Sequence, residues 1–76
     1  MKNNKIKLFD RVTLTENIGE FEVGDVGVVL DIHGQHEGYE VEMLNAQSET
    51  LDVITVFVNQ VRAVEATDVL HLRQRA

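Results

Sequence analysis

Apolar and polar residues alternate with a period of two along most of this 76-residue chain, and this pattern restricts it to β-structure. Successive side chains of a β-strand point to opposite faces of the sheet, so a half-buried strand is apolar at one parity only. Three successive runs show this parity: Ile6, Leu8, Val12 and Leu14; Val26, Val28, Leu30 and Ile32; and Tyr39, Val41 and Met43. Gly34 and Gly38 delimit a tight connection between the second and third runs, which predicts a hairpin.

Two further strands are predicted in the second half of the chain. Residues 51–58 are rich in β-branched and aromatic side chains, and residues 61–64 resume the pattern after a brief break. With a long connection at residues 15–22, these strands predict an all-β fold, a small five-stranded antiparallel SH3-like barrel. Gly24 is expected to supply an unusual backbone angle at the end of that connection, and Gly27 to allow bending or close packing.

The whole chain, residues 1–76, is predicted to be one domain, with a barrel core at 5–64 and a C-terminal extension at 65–76. A chain of this length builds one small core, and no proline-rich or low-complexity stretch marks a boundary. A helical turn capped by Thr67 or Asp68 and a strand are both consistent with the extension.

The charge distribution is strongly asymmetric, with a formal net charge of −6. Residues 12–61 hold ten carboxylates and no lysine or arginine. The basic residues lie near the two ends: Lys2, Lys5, Lys7, Arg11, Arg62, Arg73 and Arg75. An acidic body repels phosphate, which argues against nucleic-acid binding on the main surface. The charge either keeps the domain soluble, or forms an electrostatic face for a basic partner, or supports head-to-tail contact between the basic termini and the acidic body.

Catalysis, cofactor binding and metal binding are not expected, because a barrel this small fills its own interior. The chain has no cysteine, and its single serine, Ser48, lies in a predicted turn. His33, His36 and Glu37 cluster in the predicted hairpin, but an exposed turn lacks the rigidity and burial of a dedicated metal site. The N-terminal segment lacks the apolar core of a signal peptide, so the cytoplasm is the expected compartment.

Strand four is anomalous because both of its faces are apolar. Its two sets are Leu51, Val53 and Phe57 on one side and Ile54, Val56 and Val58 on the other. A lone barrel buries one side only, so the other set needs a cover. The three alternatives are the chain's own Val69, Leu70 and Leu72, a second copy, or a different protein. Phe9 and Val29 are also expected to face outward.

Four segments, at residues 8–14, 23–29, 39–43 and 60–64, together resemble a bacterial family of small proteins, domain of unknown function 4926. The resemblance covers about residues 5–73, and its most specific part is the turn at 24–27 placed before the Tyr39 strand. Many members carry a proline where this chain has Ala63. The family is similar in layout to KOW and SH3-like barrels, which implies the fold but no catalytic residue. KOW-type barrels often bind RNA, or ribosomal and transcription proteins, through basic loops, and this chain has no lysine or arginine between residues 12 and 61.

The function predicted from these features is a non-enzymatic protein-interaction or assembly module with an acidic surface, whose partner is another protein or a second copy in a homo-oligomer. Neither a membrane nor a small-molecule substrate is expected. The candidate contact residues are Phe21, Tyr39, Ile54 and Val56, with Glu16, Glu20 and Glu22 steering a basic partner. The alternative is a KOW-like nucleic-acid-associated domain that uses Lys2, Lys5, Lys7, Arg73 and Arg75.

Overall fold

The structure, a computed structural model, describes residues 6–65, which form one antiparallel sheet of five strands. The strands are β1 (Arg11–Leu14), β2 (Val26–His33), β3 (Gly38–Leu44), β4 (Thr50–Phe57) and β5 (Val61–Ala63), with a 3₁₀ turn at Val58–Gln60. Their order in the open sheet is β4-β3-β2-β1-β5. The predicted all-β class and the five antiparallel strands are therefore confirmed, and the order is consistent with an SH3-like layout. The alternatives for the extension after Thr67 lie outside the described residues.

One face of the sheet supplies most of the core, and Ile6 and Phe21 join it from outside the strands. The buried core residues are Ile6, Val12, Leu14, Phe21, Val29, Tyr39, Val41, Met43, Val56 and Val61. The alternation predicted for β3 is confirmed, since Tyr39, Val41 and Met43 are all buried. Residues opposite one another in an antiparallel pair share a face, and Val41 lies between Val29 on β2 and Ile54 on β4.

The parity predicted for β2 is wrong in the middle of the strand, at residues 28–30, and pairing with the neighbouring strands explains why. Val29 is fully buried rather than outward-facing, because it lies opposite Val41 on the core face. A register shift between Val29 and Asp31 then inserts Leu30 as an extra, exposed residue. After this bulge Ile32 lies opposite Tyr39, on the core face. The sequence alternates regularly through Leu30, but the bulge changes which face the side chains occupy on its two sides.

The first strand is shorter than predicted because the chain turns just before it. The Asp10 amide donates to the Lys7 carbonyl at 3.1 Å, and Phe9 adopts a left-handed backbone with φ of 69°. Ile6 remains in the core, but the turn leaves Leu8 48% exposed instead of buried. The predicted outward position of Phe9 is confirmed, since its side chain is 71% exposed.

The predicted roles of two glycines are confirmed. Gly24 has a φ of 95°, and its amide donates to the Leu14 carbonyl at 3.0 Å, which returns the chain from the long connection to the sheet. Gly27 lies between β1 and β3, opposite Val12 and Met43, where the strands leave no room for a side chain.

The connection between β3 and β4 is a tight turn organised by Asn45. Its Oδ1 accepts hydrogen bonds from the amides of Gln47 and Glu49, each at 2.9 Å. Ser48 completes the turn with a φ of 64°, so its predicted position in a turn is confirmed.

Candidate protein-docking surface

The candidate site is the sheet face opposite the core across β2, β3 and β4, which we call the outer face. Strand pairing places Val53 beside Glu42 and Val28, and Thr55 beside Glu40 and Asp31. Phe57 lies at the end of the same face, opposite Gly38. Phe57 is 69% exposed and Val53 is 41% exposed. The outer face therefore presents apolar side chains next to a row of carboxylates.

The carboxylates of the outer face are held in place by neighbouring side chains. Glu40 Oε1 lies 3.1 Å from His33 Nε2 and accepts a hydrogen bond from the Thr55 hydroxyl at 3.4 Å. The Thr50 hydroxyl donates to Glu42. Both glutamates are only half-exposed. Since residues 12–61 contain no lysine or arginine, basic groups from elsewhere would meet fixed negative charges here.

The free edge of β4 is less suited to binding than the outer face. The Val58 amide donates to the Glu37 carbonyl at 3.1 Å, so by alternation the peptide groups of Val53, Thr55 and Phe57 point away from β3. Two of these three amides already have acceptors. The Val53 amide donates to Asp52 Oδ1 and the Phe57 amide donates to Gln60 Oε1, both at 2.8 Å. Side-chain capping of this kind opposes the addition of another strand.

The structure corrects the predicted contact residues. Phe21, Tyr39 and Val56 are buried in the core, so they offer a partner no surface. Ile54 is half-buried and packs against the same core. Both faces of β4 are apolar, as predicted, but Ile54 and Val56, which were predicted to contact a partner, face inward, whereas Val58 of the same predicted set is exposed.

The acidic residues of the long connection lie on a different part of the surface. Glu16, Glu20 and Glu22 are exposed, and Glu16 Oε2 accepts a hydrogen bond from Gln60 Nε2 at 2.9 Å. Their predicted steering role stays a prediction. Phe21 lies between them in sequence but turns inward, because its backbone pairs with Ile18 and closes the connection over the core.

The predicted histidine cluster is divided between two contacts. His33 lies beside Glu40 on the outer face, whereas His36 Nε2 lies 3.2 Å from the Ile6 carbonyl oxygen. Within residues 6–65, no group of three histidine, aspartate or glutamate side chains is arranged to hold a metal ion.

A second exposed apolar cluster, which we call the 7–11 turn, precedes β1. The Phe9 amide donates to the Val29 carbonyl at 2.7 Å, and the Lys7 amide donates to Asp10 Oδ2 at 2.8 Å. These bonds hold Phe9 in its left-handed conformation, which is unfavourable for a residue with a Cβ. Leu8 and Phe9 project between the exposed residues Lys7 and Arg11. The sequence pattern predicts the exposure of Phe9 but not that of Leu8, because the turn interrupts the predicted strand.

Tyr39 provides a spectroscopic test of the core, since it is the only tyrosine in the chain. Its ring packs edge-on against His36 at a centroid distance of 6.3 Å. Burial raises the pKa of the Tyr39 hydroxyl above its ordinary value near 10. The unfolded chain therefore loses this proton first, and the free energy of unfolding falls as the pH rises above about 10.

We expect Tyr39→Phe to change the free energy of unfolding at neutral pH by no more than about 1 kcal/mol. The variant should also lack the decrease in stability above about pH 10 that ionisation of Tyr39 causes. Urea unfolding of both proteins at pH 7 and about pH 11 measures the difference. A tyrosinate absorbance titration of the folded wild type with an ordinary midpoint, or equal alkaline losses for both proteins, would contradict burial of the phenol.

The comparisons with known proteins identify a family but no activity. A family model described as a domain of unknown function (DUF4926) matches residues 8–63. No curated protein and no solved structure gives a significant match. In the part of the chain that the structure describes, no helix has the length and apolar character needed to cross a bilayer.

Proposed function

The chain belongs to the DUF4926 family, and from this premise, which assigns no activity, we propose that it is a non-enzymatic protein-interaction module. The partner docks on the outer face of β2, β3 and β4. It presents apolar side chains to Val53 and Phe57, and lysine or arginine to Glu40 and Glu42.

The observation that supports this proposal is the exposed Phe57 beside anchored carboxylates. A phenylalanine that is 69% exposed leaves most of its ring in water, and covering it removes apolar surface from solvent. Protein interfaces are enriched in aromatic residues at their centres, and complementary charges determine which partner binds and how fast. Glu40 is already oriented by His33 and Thr55, so little side-chain entropy is lost when a basic group binds.

The nucleic-acid alternative has weaker support. It relies on Lys2, Lys5, Lys7, Arg73 and Arg75, and only Lys7 lies within the described residues. The outer face carries carboxylates that repel a phosphate backbone. We therefore propose a protein partner alone.

Comparative capture with matched variants tests the docking surface. The tagged wild type, Phe57→Ser and Val23→Ser are each used to capture proteins from cells that naturally produce this chain. Val23 is the control, since it is also a large exposed apolar residue but lies in the connection before β2. We expect partners to be retained by wild type and Val23→Ser and depleted about tenfold or more by Phe57→Ser.

The charge of the face is tested by Glu42→Gln, which keeps the size of the side chain and removes its charge. We expect weaker capture than by wild type, with a smaller dependence on salt. Partners retained equally by wild type, Phe57→Ser and Glu42→Gln would rule out the outer face as the docking surface.

A further inference from the structure

We propose that one partner of the outer face is a second copy of this chain, which docks its 7–11 turn there. This inference rests on the proposed function, because it names an occupant for the same surface. The contact places Leu8 and Phe9 of one copy against Val53 and Phe57 of the other.

The two surfaces have opposite charges. Residues 1–11 contain Lys2, Lys5, Lys7 and Arg11 and a single carboxylate, Asp10, which accepts a hydrogen bond from the Lys7 amide. The outer face belongs to the segment that has no lysine or arginine, and it carries Glu40 and Glu42. Lys7 and Arg11 are both exposed and flank the apolar tip of the turn, so they can reach these carboxylates as the tip docks.

The two surfaces also have matching apolar exposure. Leu8 and Phe9 on the turn are 48% and 71% exposed, comparable with Val53 and Phe57 on the outer face. These four account for more than half of the large exposed apolar side chains among residues 6–65. One contact between the turn of one copy and the outer face of another therefore removes two of these side chains on each copy from water.

The turn cannot cover the outer face of its own chain. Phe9 is hydrogen-bonded to Val29 on β2, whereas Val53 and Phe57 lie on β4, two strands away in the sheet. Two strand spacings amount to about 10 Å, and both clusters remain exposed in the single chain. The contact therefore requires another molecule.

The turn is already in a binding-competent shape. Three hydrogen bonds, from the amides of Lys7, Phe9 and Asp10, fix its backbone in the isolated chain. The left-handed conformation of Phe9 directs an aromatic side chain into solvent at a conformational cost that the fold has already met. Docking a preformed turn loses less entropy than ordering a flexible segment.

A complementation experiment tests the contact with two variants. Phe57→Ser damages the outer face and leaves the turn intact. Phe9→Asn removes the aromatic ring of the turn, and asparagine is among the residues that best tolerate a left-handed backbone. Circular dichroism verifies that both variants keep the wild-type fold, and sedimentation equilibrium measures their mass.

We expect the wild type to associate with increasing concentration and decreasing salt, and each variant alone to associate at least about tenfold more weakly. An equimolar mixture should regain association through one contact, in which the Phe57→Ser copy supplies the turn and the Phe9→Asn copy supplies the face. A symmetric contact between two identical patches shows no such rescue.

A wild type that stays monomeric at every concentration and salt tested overturns the inference, and so does a mixture that stays monomeric when the wild type associates. The proposed function is judged separately by capture. If capture of partners depends on Phe57 but the chain does not self-associate, the proposed interaction module is supported. Only the inference that a second copy binds the outer face is then overturned.

Discussion

Val56→Asp should prevent the protein from folding, whereas Val53→Asp, three residues earlier on the same strand, should leave the sheet intact. Val56 is 1% exposed and lies opposite Tyr39 in the core, so an aspartate there would bury an unpaired charge. Burying such a charge costs several kcal/mol, which is comparable to the whole stability of a small domain, about 5 kcal/mol. Val53 is 41% exposed on the outer face, where an aspartate can remain hydrated.

Far-ultraviolet circular dichroism and urea unfolding at neutral pH measure both variants. The expected result is an unfolded spectrum for Val56→Asp and a cooperative transition near that of the wild type for Val53→Asp. A decrease in the unfolding free energy of Val53→Asp of up to about 1 kcal/mol is consistent with this expectation, because the neighbouring Glu42 repels the new carboxylate. The opposite ranking would mean that the two faces of β4 have been assigned the wrong way round.

Gly27→Ala should cause the second largest loss of stability, although it adds a single methyl group. A Cβ at this position would lie 2.4 Å from Val41 Cγ1 and 2.8 Å from the Glu42 carbonyl oxygen. The second contact is with backbone, so β3 itself has to move to relieve it. Overpacking of this kind typically costs 1–3 kcal/mol and occasionally more, and we expect a loss of about 3 kcal/mol.

Gly19→Ala is the matched control for this substitution. Nothing lies within 4 Å of a Cβ at Gly19, but its φ of 57° disfavours alanine, and the expected loss is about 1 kcal/mol. Urea midpoints of the two variants separate the cost of crowding from the cost of an unfavourable backbone angle. Equal losses would show that β2 and β3 are not packed as closely as the structure describes.

The number of strands and the hairpin between β2 and β3 could be predicted from the sequence, but the buried face of β2 and of β4 could not. β3 alternates cleanly between Tyr39, Val41, Met43 and intervening glutamates, so its buried side follows from the pattern alone. β4 is apolar at both parities, and in β2 Val29 adds an apolar residue at the parity opposite to the predicted run, so the register with neighbouring strands decides which side is buried. The bulge at Leu30 is also invisible in the pattern, because every residue around it is apolar except Asp31.

The candidate site was predicted in outline and corrected in detail. The excess of apolar residues on strand four predicted an exposed apolar face, and the absence of lysine and arginine predicted its acidic surroundings. Ile54 and Val56 were misassigned because both faces of β4 are apolar, and Phe21 because the position of an aromatic side chain in an irregular segment depends on tertiary contacts. Phe21 illustrates this: it lies in a polar connection, yet it is buried by its bridge to Ile18.

The caps on the rim of β4 have a consequence for the behaviour of the protein at high concentration. Fibrillar stacking of identical chains requires each new rung to bond with the bare amides of the previous one. Here the amides of Val53 and Phe57 already donate to the side chains of Asp52 and Gln60. Both of these hydrogen bonds have to break before another strand can add to this edge. The chain can therefore expose an apolar face to a binding partner while the edge of β4 remains a poor template for amyloid growth.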